Sequence, residues 1–88
     1  MPELIHEPTV DIKVSDGAAY KPRIYAEQRA DNTWEAWIEF YPTDKRKPVL
    51  RTGQETSQPD RPAIEYWALG LKPIYFEGAF ARAQRRFI

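Results

Sequence analysis

Between Tyr20 and Tyr41 the side chains alternate in character. Tyr20, Pro22, Ile24 and Ala26 fall on one side of an extended segment, and Lys21, Arg23, Tyr25, Glu27 and Arg29 fall on the other. This period of two is the mark of a strand with one buried face. Pro22 cannot donate a ladder hydrogen bond, which places that end of the strand near a sheet edge. Ala30-Asp31-Asn32-Thr33 supplies a hairpin connection, and Trp34 to Tyr41 forms the second strand. Its even positions Trp34, Ala36, Ile38 and Phe40 make an apolar core face, and its odd positions Glu35, Trp37, Glu39 and Tyr41 make a mixed one.

The flanking segments are shorter. Val10 to Val14 alternates with the same period and reads as an edge strand, closed by turn chemistry at Ser15-Asp16-Gly17. The charged loop Pro42 to Pro48 leads into Val49-Leu50-Arg51-Thr52, a third strand of the meander. After a polar, proline-punctuated stretch, Asp60 or Ser57 caps a helix whose stripe is Ile64, Trp67, Ala68 and Leu71. Gly70 is expected to end it in the left-handed conformation, with Leu71 touching Tyr66 and Pro73 preventing its continuation. A second helix runs from Pro73 to Arg86, with Phe76, Ala79, Phe80, Ala83 and Phe87 on one side.

These elements define an α+β fold: a three-stranded antiparallel meander, four-stranded if the N-terminal strand joins, with two C-terminal helices on one face. Residues 20–88 make one domain, and residues 1–19 make an N-terminal segment that is an edge strand or partly disordered.

Composition narrows the function classes. The 88 residues include no cysteine, which excludes disulfides and thiolate chemistry and fits a cytoplasmic location. No apolar run approaches the ~20 residues that span a bilayer, and no signal-peptide pattern is present, so no membrane association is expected. Net charge is zero but lopsided: residues 1–44 hold four basic and nine acidic side chains, and residues 45–88 hold nine basic and four acidic. Either the halves neutralise one another, or Lys45, Arg46, Lys47 and Arg51, or Arg82, Arg85 and Arg86, form a basic patch for nucleic acid or an acidic partner.

Catalytic constellations are missing. The one histidine, His6, has neither a nucleophile nor a metal-ligand cluster beside it in sequence. Glu35 and Glu39 share a strand face but stand ~13 Å apart, beyond the ~5–9.5 Å of a glycosidase pair. They read instead as cross-strand partners of Lys21, Arg23 or Arg29. Gly53 lacks the other residues of a phosphate-binding loop. Ala36-Trp37-Ile38 with Phe40 echoes one strand of an RNA-recognition motif, but Glu35 stands at a base-stacking position and no helix precedes the strand. A non-enzymatic protein without metal or cofactor is the expectation.

The meander followed by Gly53-Gln54-Glu55-Thr56-Ser57 and an apolar helix resembles the HicB-like antitoxin family, and other small bacterial proteins of the same layout. The resemblance spans Tyr20 to Leu71 and implies a partly RNase-H-like domain that binds a small protein. The family's Pro-Gly-Cys segment before the third strand is replaced here by Lys45-Arg46-Lys47-Pro48, so no functional residue carries over. From the residues themselves, Tyr25, Trp37 and Tyr41, with Arg23, are expected on an exposed aromatic sheet face that binds a protein partner or a second copy of the chain. A cover of N-terminal residues, or of lysine and arginine stems, is the other way to satisfy Trp37.

Overall fold

The computed structural model describes residues 1–87. Six antiparallel strands form one sheet: β1 (Glu3–His6), β2 (Ile12–Lys13), β3 (Ala19–Gln28), β4 (Trp34–Pro42), β5 (Leu50–Arg51) and β6 (Thr56–Gln58). Two helices follow, α1 (Arg61–Leu69) and α2 (Pro73–Phe87). The α+β class and the helix order agree with the sequence. The strand number exceeds the expected three or four, because both edges of the sheet are built from two short pieces. β1 and β2 pair in succession with β3, and β5 and β6 pair in succession with β4.

The long β3–β4 hairpin is the centre, paired from Tyr20 opposite Pro42 to Gln28 opposite Trp34. Its turn needs Asn32, whose φ of 71° is left-handed, a conformation asparagine tolerates better than most residues. Asp31 tightens the turn by accepting the Thr33 amide at 3.0 Å.

Pro22 does not stand at an edge, since β3 is an interior strand. The Ile38 amide and carbonyl both bond Thr52, so they point away from β3, and by the two-residue period those of Phe40 do too. Pro22, opposite Phe40, therefore turns its missing donor toward the other neighbour. There the ladder is broken: His6 pairs with Ile24, Ile12 pairs with Tyr20, and residues 7–11 loop out between them.

The even positions of the hairpin form the core, as their alternation requires. Ile24, Ala26, Ala36, Ile38 and Phe40 are all fully buried. α1 sits over Ala26 and Ala36 through Ile64, where two small side chains let the helix approach. α2 sits over Ile24, Ile38 and Phe40 through Phe76, Ala79, Phe80 and Ala83. The Phe80 ring lies 5.0 Å from that of Tyr20 and 5.2 Å from that of Phe40, an aromatic cluster that removes large apolar areas from water. Phe87, expected on this side, is 61% exposed at the end of the helix.

The helix ends follow local chemistry. Asp60 caps α1 by accepting the Ala63 amide at 2.9 Å, and Pro62 occupies its first turn. Gly70 closes it with φ −85°, a right-handed conformation, so the expected left-handed cap does not form. Leu71 packs partly buried against the core, and Tyr66 stays exposed. Glu55, in the turn before β6, anchors α2 to the sheet: its side chain is 7% exposed and accepts from the Tyr75 hydroxyl and the Arg82 guanidinium.

Candidate functional site

The odd positions of β3 and β4 face away from both helices. Residues directly opposite in an antiparallel pair share a face, so the register lays this surface out as rows. The first is Lys21 with Tyr41; the second is Arg23, Glu39 and Arg51; the third is Leu4, Tyr25 and Trp37; the fourth is Glu27, Glu35 and Ser57. Among the described residues no helix covers these rows.

Trp37 departs from its expected exposure. Its residue surface is 2% accessible, although it belongs to the outward face. Three neighbours account for this. The Arg51 guanidinium lies 4.2 Å above the ring centroid, the Tyr25 ring stacks at 6.4 Å, and Glu39 accepts the indole N–H at 2.9 Å. An arginine plane over an indole gains cation–π attraction while its edges stay in water. Of the two expectations for Trp37, the cover by a cationic stem is therefore the one observed.

Glu39 organises the rest. Its other oxygen accepts the Tyr41 hydroxyl at 2.7 Å, and the Tyr41 hydroxyl is 3.4 Å from that of Tyr25. Burial first, then the bonds to Tyr25 and Glu39, hold the Tyr41 phenol well above the ordinary tyrosine value. Arg23 stacks 4.2 Å over the Tyr41 ring and pairs with Glu7 at 2.7 Å. Two arginines thus lie over two aromatic rings, with one carboxylate bonded to both ring residues. Glu39 serves these donors rather than a cross-strand lysine or arginine, whereas Glu35 does meet an expected partner, Arg29, at 3.8 Å.

At the Lys21 end a groove of about 800 Å³ opens between the residue 7–11 loop and the strands, with Pro8, Val10, Pro22, Tyr41 and Val49 in its lining. Of its four cations, Lys21 and Arg23 are held by Asp11 at 2.8 Å and by Glu7, and Lys45 and Lys47 line the groove as well.

Tyr25, Trp37, Tyr41 and Arg23 therefore come together as one cluster. The seven cations considered for nucleic acid do not. Arg46 pairs with Asp44, Lys47 with Asp16 and Arg82 with Glu55, while Arg51 lies on Trp37. Arg86 lies against Gly53, where its Nη1 would stand 3.0 Å from an added Cβ. Lys45 and Arg85 are exposed and make no ion pair among the described residues. Sequence reasoning missed the parts played by Glu39 and Glu7, and weighed Leu4 only among the N-terminal residues that would cover Trp37. The alternation already put Glu39 beside Trp37, but only the strand register shows Leu4 and Arg51 flanking the aromatic row.

Among the described residues no group of three or more His, Cys, Asp and Glu side chains could hold a metal ion, and no helix is long and apolar enough to cross a membrane. Compared with family models, curated proteins and solved structures, the chain matches none.

Proposed function

We propose that this protein is a binding domain without catalytic chemistry of its own, which docks its outward sheet face on a protein, either a second copy of itself or another chain. The observation that carries this reading is the face itself. Leu4, 46% exposed, continues into Tyr25, and Arg51 over Trp37 and Arg23 over Tyr41 present their guanidinium groups on either side. Tyrosine, tryptophan and arginine are the side chains that anchor protein interfaces, since each offers large area with few rotamers to freeze or, for arginine, a stacked and pre-oriented plane. The HicB-like resemblance points the same way, toward protein binding, and does so through layout alone. The nucleic-acid reading has less behind it, because Glu27, Glu35 and Glu39 lie on the open face beside Arg51.

The test is recovery of partners, self included, on tagged wild-type protein and on an Arg23→Ala/Arg51→Ala variant with unchanged circular dichroism. Loss of recovery in the variant is expected. Equal recovery by both proteins would remove this face from the function, and salt-released nucleic acid in the wild-type eluate would favour the basic loop instead.

A further inference from the structure

Apart from Glu39, whose carboxylate is bonded by Trp37 and Tyr41, the outward face is antisymmetric in charge about its apolar row. Leu4, Tyr25 and Trp37 cross three strands in one line. Two residues along the strands in one direction stand Arg23 and Arg51; two residues in the other stand Glu27 and Glu35. A rotation of half a turn about the apolar line returns the same face inverted, with its basic side over the acidic side.

Resting on the reading that this face binds a protein, we propose that its occupant is a second copy of the chain, joined face to face about a two-fold axis along the Leu4–Tyr25–Trp37 row. Such an interface is isologous, so one surface has to complement itself, and this one does so through Leu4 and Tyr25 at the axis and opposite charges on either side of it, with Trp37 held beneath Arg51. Leu4 and Tyr25 meet their own copies near the axis. By strand position Arg23 stands opposite the partner's Glu27, which its side chain reaches on leaving the Tyr41 ring. With the ~30° crossing of stacked sheets, Arg51 comes within reach of the partner's Glu35. Glu39, which would face the partner's Glu35, is already bonded by Trp37 and Tyr41, and Arg23 and Arg51 stand on either side of it.

The pairs that these charges make within one chain do not oppose the association strongly. Glu27 meets the Met1 amino group and Arg23 meets Glu7 at exposed positions, while Glu35 meets at 3.8 Å a half-buried Arg29 that already donates to Thr33, Ser57 and Gln54. Exposed pairs of this kind contribute little and exchange partners readily. A polyanion is a poorer occupant, because the same three glutamates would face its phosphates.

The experiment is sedimentation equilibrium on wild type, on Arg23→Glu/Arg51→Glu, on Glu27→Lys/Glu35→Lys, and on an equimolar mixture of the two variants. Wild type is expected to show a concentration-dependent dimer. Each variant alone repels its own copy and dissociates with a constant at least ~10-fold higher. The mixture pairs an acidic face with a basic one and restores a heterodimer. Leu4→Lys, at an exposed position, tests the axis without disturbing Trp37 and is likewise expected to weaken the dimer. A monomeric wild type at about 100 µM, well above the concentrations at which specific dimers form, would overturn the proposal. So would a dimer indifferent to Leu4→Lys and to both charge reversals, or folded variants that fail to associate when mixed. If the chain stays monomeric yet captures a different protein that Arg23→Ala/Arg51→Ala loses, the self-pairing fails and the binding-domain reading stands.

Discussion

Thr52 replaces a piece of backbone for Ile38. Its amide donates to the Ile38 carbonyl at 2.9 Å, and its hydroxyl oxygen accepts the Ile38 amide at 3.0 Å, where a regular ladder would use the Thr52 carbonyl. The hydroxyl proton goes to the Gly53 carbonyl at 2.8 Å. Thr52 is wholly buried, and this arrangement lets β5 break off and the chain bulge before β6 resumes beside β4.

Thr52→Val keeps the shape and strands both partners, so it is expected to cost about 1–3 kcal/mol, the usual penalty for buried polar groups left unpaired. Thr52→Ser retains the bonds and is expected to lose less. Urea denaturation of the two variants checks the order.

Arg51→Ala uncovers Trp37. In a background of Trp34→Phe and Trp67→Phe, the remaining indole is expected to emit at longer wavelength and its N–H to exchange faster with solvent. The stability loss should be modest, about 0.5–1 kcal/mol for an exposed cation–π contact. An unchanged spectrum would mean that Tyr25 and Glu39 suffice to shield the ring.

Alkaline pH should weaken the fold through two phenols. Burial, and then the bond to Glu55, push the Tyr75 hydroxyl up to about 12, and Tyr41 is raised in the same direction. A folded-state pKa above the unfolded ~10 means that the stabilisation is complete below pH ~10 and is lost as pH rises through the folded value. Stability is therefore expected to fall between pH ~10 and 12, and Tyr75→Phe should flatten that limb. Denaturation midpoints across this range, with tyrosinate absorbance followed in parallel, check the sign.

Backbone conformation, not crowding, decides which turn positions are sensitive. Asn32→Val is expected to cost about 1–2 kcal/mol because a β-branched residue resists the left-handed region, whereas Asn32→Gly should be neutral or better. Gly17→Ala is expected to cost about 1 kcal/mol for the same reason, since φ is +88° although an added methyl would touch nothing. Gly53→Ala displaces only the tip of Arg86 and should be tolerated. Thermal melts of the three positions rank them.

The hairpin and both helices were legible because their apolar spacing matches their geometry. Ile24, Ile38 and Phe40 had to face inward together, as did Phe76, Ala79, Phe80 and Ala83. The short strands were not. β6 is Thr56-Ser57-Gln58, with no apolar side chain to alternate, and it exists because Ala36 offers its backbone there. β1 lies between Pro2 and Pro8 and pairs through an irregular register after Leu4, a kink that no periodicity reveals. The same limit applies to the candidate site. Tyr25, Trp37 and Tyr41 were readable as one face, but the cover on Trp37 depends on Arg51 standing across from Glu39, which is a fact of pairing between distant segments.

The gap opposite Pro22 has a consequence for how the molecule behaves in a crowded solution. One margin of the sheet offers two stubs separated by a loop and backed by a residue with no amide proton; the other changes strand at Thr52. Growth of cross-β fibrils requires a long, straight, unsatisfied rim onto which identical strands add one after another. Among the described residues neither margin supplies one, so the folded hairpin offers no continuous rim to which a further strand could add.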